Sequence, residues 1–506
     1  MLVALGFVSF PKIFFILLVV SVFSGVIILI PKIPLNFVRF HIGIISLPTI
    51  AALLALIFNH GSVTFGPWRF NSLSWLLSAF VLTIGLIVQR YCLRYLLGDR
   101  TYRKYFALIT ITTVADAIAW LSDDLRWLLI CWGITLIGLT LIIRLRKEWR
   151  VARYAATITG RLFALSWLIL LGAIIWVAKV TGHWRLSLIL TQNSLAQFDS
   201  YERTCIGLLL VIAVVIPAAQ WPFHRWLLDS VVAPTPISAV MHAGIVNAGS
   251  IILTRFAPLF NSTTAHMILF ILSCISVLMG TGMMLVQVDY KRQLVGSTIA
   301  QMGFMLIQCA LGAYGAAVVH AVLHGLFKAT LFLQAGFVRH TEPDPRIPQR
   351  PSWIWMLAGG ALGLEVGVSF WLASSKGVYQ LISALILGWA VSFAWMHLVA
   401  FGRGRTGLIS GLFIFVGATI AFRFIQVTFD GLLHETVHVG MQLPMTTGVL
   451  FLFVLLIAST AGAWFVRCPL STVYTVIYLW LVHWSEPKND SVEIHPKYLI
   501  RSLSGR

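Results

Sequence analysis

Long apolar runs recur along almost the whole chain, and they constrain its fold more than any motif does. Crossing a bilayer takes about 20 predominantly apolar residues. Runs of that kind fall near 13–30, 42–58, 73–92, 105–121, 125–143, 161–180, 205–221, 236–257, 266–286, 293–312, 314–337, 353–374, 379–401, 407–425 and 447–466. In hydrocarbon every backbone polar group must pair internally, which runs of this length do as helices. The expected fold is therefore an all-α polytopic membrane protein with about 14–16 transmembrane helices. Composition agrees: 59% of residues are hydrophobic and 10% charged, against about 25% charged in a soluble domain. The first run, Ile13 to Ile30, ends at Pro31-Lys32 without a small-residue cleavage site, so it reads as a retained span. Ser471 to Trp484 is short for a span and is expected at the membrane interface.

The formal charge of +19 could suggest a nucleic-acid partner, but its distribution argues for a membrane. Basic residues cluster in short loops: Arg90, Arg94, Arg100, Arg103 and Lys104; then Arg144, Arg146, Lys147, Arg150 and Arg153. Lys291-Arg292, then Arg339, Arg346 and Arg350, then Arg403 and Arg405 complete the series. All fall after odd-numbered spans, so the positive-inside rule makes that side cytoplasmic and puts the N-terminus outside. The polar tail from Ser485 to Arg506 is then cytoplasmic. The longest polar segments, 181–204, 338–352, 426–446 and the tail, leave no room for a soluble catalytic domain, so this is not a soluble enzyme. Six scattered cysteines without a CxxC pair read as small buried hydrophobes.

Ionisable groups at membrane depth cost several kcal/mol and are usually functional or paired. The densest set is His320, His324 and Lys328, whose i, i+4, i+8 spacing lays them along one helix face. Imidazoles that titrate near neutrality suit a proton relay; the competing reading is two packed histidines and a lysine reaching for the interface. Asp116, Glu365 and His397 lie within other spans, and His242 follows a Pro234-Thr235-Pro236 break. Each of these stands open between a structural hydrogen bond and a relay role. Pro217 and Gly207 interrupt the seventh span, and broken helices at this depth line polar cavities in transporters. The run His434-Glu435-Thr436-Val437-His438 matches HExxH, which can place two zinc ligands on a helix face. In a short connection between spans it reads better as a solvated or interfacial helix than as a metalloprotease site.

From the seventh span onward the sequence resembles a known family. Gln220-Trp221-Pro222-Phe223-His224-Arg225-Trp226-Leu227-Leu228-Asp229, Ala233-Pro234-Thr235-Pro236-Ile237-Ser238-Ala239 and His242-Ala243-Gly244 resemble the signature of the antiporter-like subunits of respiratory complex I and Mrp antiporters. Asp289 to Leu294 with Gln301-Met302-Gly303-Phe304-Met305, and His320 to Ala329, look like later blocks of the same signature. The resemblance covers roughly residues 70–400. It implies two inverted five-helix repeats, each with a broken helix and a membrane-embedded charge: 105–257 and 266–401. N-terminal helices (1–104), C-terminal helices (402–484) and a tail (485–506) would flank them. His242, His320, His324 and Lys328 would line a hydrated axis, with Lys376 as the lysine of the second broken helix. Asp116, Asp124 and Glu365 are the acidic candidates for the same pathway. Pro217, Pro234, Pro236, Asp229 and Arg161 would be structural or coupling residues.

Departures from the pumping subunits shape the functional expectation. Trp132 is followed by Gly133 where a Glu is expected, and Pro217 stands where a Lys is expected. Arg161 persists, but Ala164 replaces its acidic neighbour. The N-terminal half has thus lost its charge pair, while the C-terminal ladder is intact. The run from His242 to Gly249, with Arg255 to Leu259, is similar to the membrane subunits of DAB inorganic-carbon accumulation complexes. That resemblance implies a bacterial inner-membrane subunit that conducts a cation, expected to be a proton. It implies no cofactor on this chain, and a large cytoplasmic zinc partner, resembling β-carbonic anhydrases, that hydrates carbon dioxide. The alternative is a proton-pumping complex I-type or Mrp-type antiporter subunit.

Overall fold

The computed structural model describes residues 2–58, 61–336, 353–373, 378–399 and 471–486, with scattered positions between 413 and 458. Most apolar runs are helices at their expected places. They are α1 (Leu2–Ile27), α2 (Phe37–Phe58), α3 (Ser72–Tyr95), α4 (Tyr102–Leu121), α5 (Leu125–Arg144) and α6 (Arg150–Thr181). Two single-turn helices, α7 (Leu186–Ile189) and α8 (Gln192–Leu195), precede α9 (Ser200–Val215). Then come α10 (Arg225–Asp229), α11 (Thr235–Ala243), α12 (Ala248–Arg255), α13 (Thr263–Val286), α14 (Tyr290–Ala310) and α15 (Tyr314–Ala335). α16 (Trp353–Ala373), α17 (Val378–Val399) and α18 (Thr472–Ser485) follow. Among the described residues, nine helices are long and apolar enough to cross a membrane, α11 and α12 together counting as one. The protein is a multi-pass membrane protein.

An all-α expectation misses one element. Val63–Phe65 (β1) and Trp68–Phe70 (β2) form an antiparallel hairpin in the α2–α3 connection. Gly66 takes φ 59° at its tip, a conformation that costs glycine nothing sterically. The carbonyl of Pro67 accepts the backbone N–H groups of both Asp123 and Asp124, so the hairpin ties down the α4–α5 corner.

Polar residues set the helix starts. Asn71 and Ser74 form a reciprocal capping box on α3, and Asp199 and Glu202 do so on α9. Asp124 caps α5 and Asp289 caps α14, satisfying N–H groups that have no partner inside the helix. Small residues let helices close on each other where lipid supplies no hydrophobic drive. α13 and α14 cross at Gly280 and Gly296, where a Cβ on Gly280 would lie 2.8 Å from the Gly296 carbonyl oxygen.

Among the described residues two helices are broken inside the bundle, and the structure moves both breaks. α9 stops at Val215, so Pro217 lies just past the helix; Gly207 sits within α9 against Ala265 and interrupts nothing. The segment 216–224 carries the positive-φ Ala219 and the cis Trp221–Pro222 bond. Its backbone is served by side chains: Trp226 Nε1 donates to the Ile216 carbonyl at 2.8 Å, and Trp221 N donates to Ser276 Oγ at 2.9 Å. Pro234 and Pro236 do not break the next helix; they begin α11 from its N-cap and first turn, where a missing N–H costs nothing. The break comes at Gly244 (φ −104°, ψ −83°) and the 3₁₀ turn Ile245–Asn247. There Asn247 Nδ2 donates to the Ala243 carbonyl at 2.5 Å and reaches Ala321 O at 3.3 Å. Side-chain rescue of this kind makes non-helical backbone tolerable at membrane depth. Beyond the break, Arg255 at the end of α12 donates to the carbonyls of Ala119 and Ser122 at the end of α4.

Candidate cation pathway

Helix α15 carries His320, His324 and Lys328 on one face, as their spacing requires. Lys328 is 1% exposed and His324 6%, so this lysine does not reach for the interface. Gly325 permits the burial: a Cβ there would stand 2.6 Å from the Ala243 carbonyl oxygen, so α11 can lie directly against α15. That close approach sets His242, fully buried on α11, beside the ladder, with its ring stacked on Phe332 of α15 at 4.2 Å between centroids.

Helix α14 joins these groups. Lys328 Nζ donates to the Leu294 carbonyl at 2.9 Å. The same carbonyl accepts Thr298 Oγ1 at 2.8 Å, and Thr298 Oγ1 lies 3.1 Å from His242 Nδ1. With the threonine proton committed to Leu294, the imidazole contributes the N–H at Nδ1, and Nε2 is left with an open lone pair. His242 Nε2 and both nitrogens of His324 make no protein hydrogen bond although buried. Further along, His320 Nε2 is 2.9 Å from Gln301 Oε1 and Nδ1 is 3.3 Å from Gln308 Oε1; its ring centroid lies 6.2 Å from that of His324. Gln220 Oε1, at the first helix break, and Asn247 Oδ1, at the second, are likewise buried without a protein partner. Buried polar atoms are nearly always bonded, to protein or to water. Such atoms on α11 and α15 and at both breaks, around a buried lysine, are the kind of lining expected of a hydrated ion path.

No ion pair among the described residues involves Lys328. A buried cation with one carbonyl partner is held against several kcal/mol of desolvation, so its charge responds strongly to what approaches it. That makes Lys328 suited to switching between charged and neutral states.

The remaining predicted positions divide. Asp116 is 5% exposed on α4, with one carboxylate oxygen unpartnered, as a pathway acid would be. Asp124 lies elsewhere: it caps α5 and holds Arg126 through Nε at 3.0 Å and Nη2 at 2.6 Å. Arg126 accordingly holds its carboxyl below the usual carboxylate range, and the residue fastens the α4–α5 corner. Glu365 on α16 and Arg161 on α6 are exposed. Asp229 ends α10 immediately after the first break. Lys376, the side chain of His397, and Glu435 and His438 of the HExxH run lie outside the described residues.

Sequence reasoning missed Thr298 as the link between His242 and Lys328, and Gln308 as a partner of His320. Thr298, Gln301 and Gln308 share one stripe of α14 at helical spacing. A polar stripe on an otherwise apolar helix facing a histidine ladder was the available signal.

Comparison with known proteins shows the family of the chain. Residues 122–408 match the family described as NADH:quinone oxidoreductase/Mrp antiporter, TM. A Bacillus subtilis protein carrying the name "Probable inorganic carbon transporter subunit DabB" is 54% identical over 506 residues, all of both chains. A Bacillus anthracis protein of the same name is 53% identical over 506 residues, covering all of this chain and 99% of the relative. The solved Mrp complex from Dietzia sp. DQ12-45-1b contains a chain that superposes with TM-score 0.64 at 20% identity, over 97% of this chain and 59% of that one. At that identity the superposition speaks for the fold.

Proposed function

The chain belongs to the NADH:quinone oxidoreductase/Mrp antiporter membrane family and, within it, to the DabB inorganic carbon transporter subunits, and from that premise we propose that it is the cation-conducting subunit of an inorganic-carbon accumulation complex. The cation is a proton. Lys328 is the switchable charge, and His324 and His320 extend the relay along α15. His242 links it to the N-terminal half, where Asp116 is the acidic group. Flux through this subunit drives carbon dioxide hydration by a DabA-like cytoplasmic partner of the zinc carbonic-anhydrase type; this chain supplies the conduction and not the catalysis. Residues 105–257 and 266–401 act as two inverted repeats around the axis. The N-terminus lies outside, and the basic loops face the cytoplasm across a bacterial inner membrane.

The observation that carries the reading is the convergence of Lys328 Nζ and, through Thr298, of His242 on the one Leu294 carbonyl. It joins the two signature helices through a third; because both ends donate into that carbonyl, the link orients Lys328 and His242 toward the path and does not itself carry the proton. Replacing Lys328 with Ala abolishes energy-dependent bicarbonate accumulation while the complex still assembles; full accumulation in that variant overturns the role. The second reading, a complex I-type or Mrp-type proton-pumping or antiporter subunit, rests on the same family match. Co-purification separates the two. A large zinc-containing soluble protein supports the first, and quinone-linked or small Mrp-type subunits support the second.

A further inference from the structure

The bundle of α1 to α4 ends at Leu121, before the stretch that matches the family begins at residue 122, and it contains a fully buried histidine that the pathway above does not use. His41 lies on the first turns of α2 and is 0% exposed. Its Nδ1 is 2.7 Å from Ser24 Oγ on α1. Its Nε2 is 2.9 Å from Thr110 Oγ1 on α4 and 3.2 Å from Gln89 Oε1 on α3. The imidazole of α2 is thus met by α1, α3 and α4 together.

The donors can be counted. Ser24 Oγ donates to the Ser21 carbonyl at 2.8 Å, and Thr110 Oγ1 donates to the Phe106 carbonyl at 2.9 Å. Thr110 Oγ1 also accepts Gln89 Nε2 at 3.1 Å. With both hydroxyl protons spent on backbone carbonyls, every atom facing the ring offers a lone pair. A neutral imidazole has one N–H to give and an imidazolium has two. The arrangement therefore fits a doubly protonated ring. A neutral ring fits equally well if one hydroxyl turns from its carbonyl to donate to the bare nitrogen. Both protonation states leave the cage hydrogen-bonded, which avoids the penalty that an unpaired buried group incurs.

The geometry points to His41 as a second proton-binding site, separate from the α15 ladder and opening onto α4. Protonation forms one N–H bond at a ring nitrogen and places one positive charge on the ring. The hydroxyl that had donated there swings back to its carbonyl and keeps its proton. Next to the cage, a cavity of about 10 Å³ is lined by Ser21, Gln89, Thr110 and Thr113 among apolar neighbours, room for about one water. Thr110, Thr113 and Asp116 follow at i, i+3 and i+6 on α4, so Asp116 with its unpartnered oxygen lies about 9 Å further along the helix. The groups facing His41 from α1, α3 and α4 (Ser24, Gln89 and Thr110) are uncharged. The charges of these helices, among them Arg39 on α2, Arg90 and Arg94 on α3, and Arg103 and Lys104 on α4, make no hydrogen bond to the ring. This inference rests on the conduction reading only for its transport consequence, not for proton binding.

Nitrogen-15 spectra of histidine-labelled protein in nanodiscs test it, with the His41 signal identified by its loss in His41→Gln. A signal that passes between a neutral and a doubly protonated ring as the pH is lowered across the range in which the fold survives is expected. A single neutral tautomer throughout overturns the site. Thr110→Val removes one acceptor from the cage and should move the transition to lower pH; an unmoved transition overturns the cage's role and keeps the test open if His41→Gln does not fold. In proteoliposomes of the assembled complex, His41→Gln should lower proton flux severalfold. Unchanged flux overturns the branch toward Asp116, whereas failure of the conduction reading itself would show as unchanged flux in Lys328→Ala.

Discussion

Replacing Thr298 with Val tests the pathway at its narrowest point. Thr298 is fully buried, and its hydroxyl is the single atom joining His242 Nδ1 to the carbonyl that holds Lys328. Valine keeps the branched shape and removes the hydroxyl, so the fold should survive. His242 then has a buried N–H without its partner, a loss worth about 1–3 kcal/mol. If that energy is drawn from the conducting arrangement, flux falls by roughly 5- to 150-fold, since each 1.36 kcal/mol is a factor of ten. Thr298→Ser restores the oxygen and should conduct within about twofold of the parent on the same scale. The assay is acidification of proteoliposomes containing the purified complex, read by an entrapped pH dye and normalised to assembled protein. A Val variant that conducts like the parent, alongside an inactive Lys328→Ala, would refute the connection between His242 and Lys328.

Gly325→Ala should force α11 away from α15, because the added Cβ would meet the Ala243 carbonyl oxygen at 2.6 Å; overpacking of this kind costs about 1–3 kcal/mol, measured as a lower Tm in detergent. Acid should loosen the α4–α5 corner through Asp124. Its carboxyl is held below the usual range by Arg126, so the contribution is fully present above about pH 4 and is lost as pH falls through the lowered folded value. Arg126 is 61% exposed, which limits the effect to below about 1 kcal/mol. Asp124→Asn should flatten that acid limb in a pH series of thermal melts, and an unchanged limb would remove Asp124 from the account.

The helices and the ladder were legible because their signals are local. Hydrocarbon imposes long apolar runs, and the spacing of His320, His324 and Lys328 fixes their shared face whatever surrounds them. The breaks were only half legible. Pro217 marked the end of α9, but Pro234 and Pro236 drew attention to a helix start, and the true interruption at Gly244 depends on Asn247 catching the freed carbonyl. The roles of Asp116 and Asp124 could not be separated from sequence. One lies within an apolar run and the other just before the next, and only the fold shows one with an unpartnered oxygen inside α4 and the other capping α5. Thr298 left only the trace of a polar stripe on α14, since its importance comes from α11 and α15 meeting α14 at one carbonyl. His41 escaped attention because a lone histidine in an apolar run is more often a packing residue. What distinguishes it is a cage assembled from three other helices.

Arg255 gives the second broken helix a mechanical polarity. Its guanidinium is fastened to the carbonyls of Ala119 and Ser122, and that corner is itself secured by Asp123 to Ser187 and by the hairpin carbonyl of Pro67. α12 is therefore tied to that corner, whereas α11 is tied to α15 at Gly325 and to α3 through Thr235 and Tyr95, with Gly244 as the joint between the two arms. His242 sits two residues from that joint, so a shift of one tie relative to the other would be felt first in its angle toward Thr298.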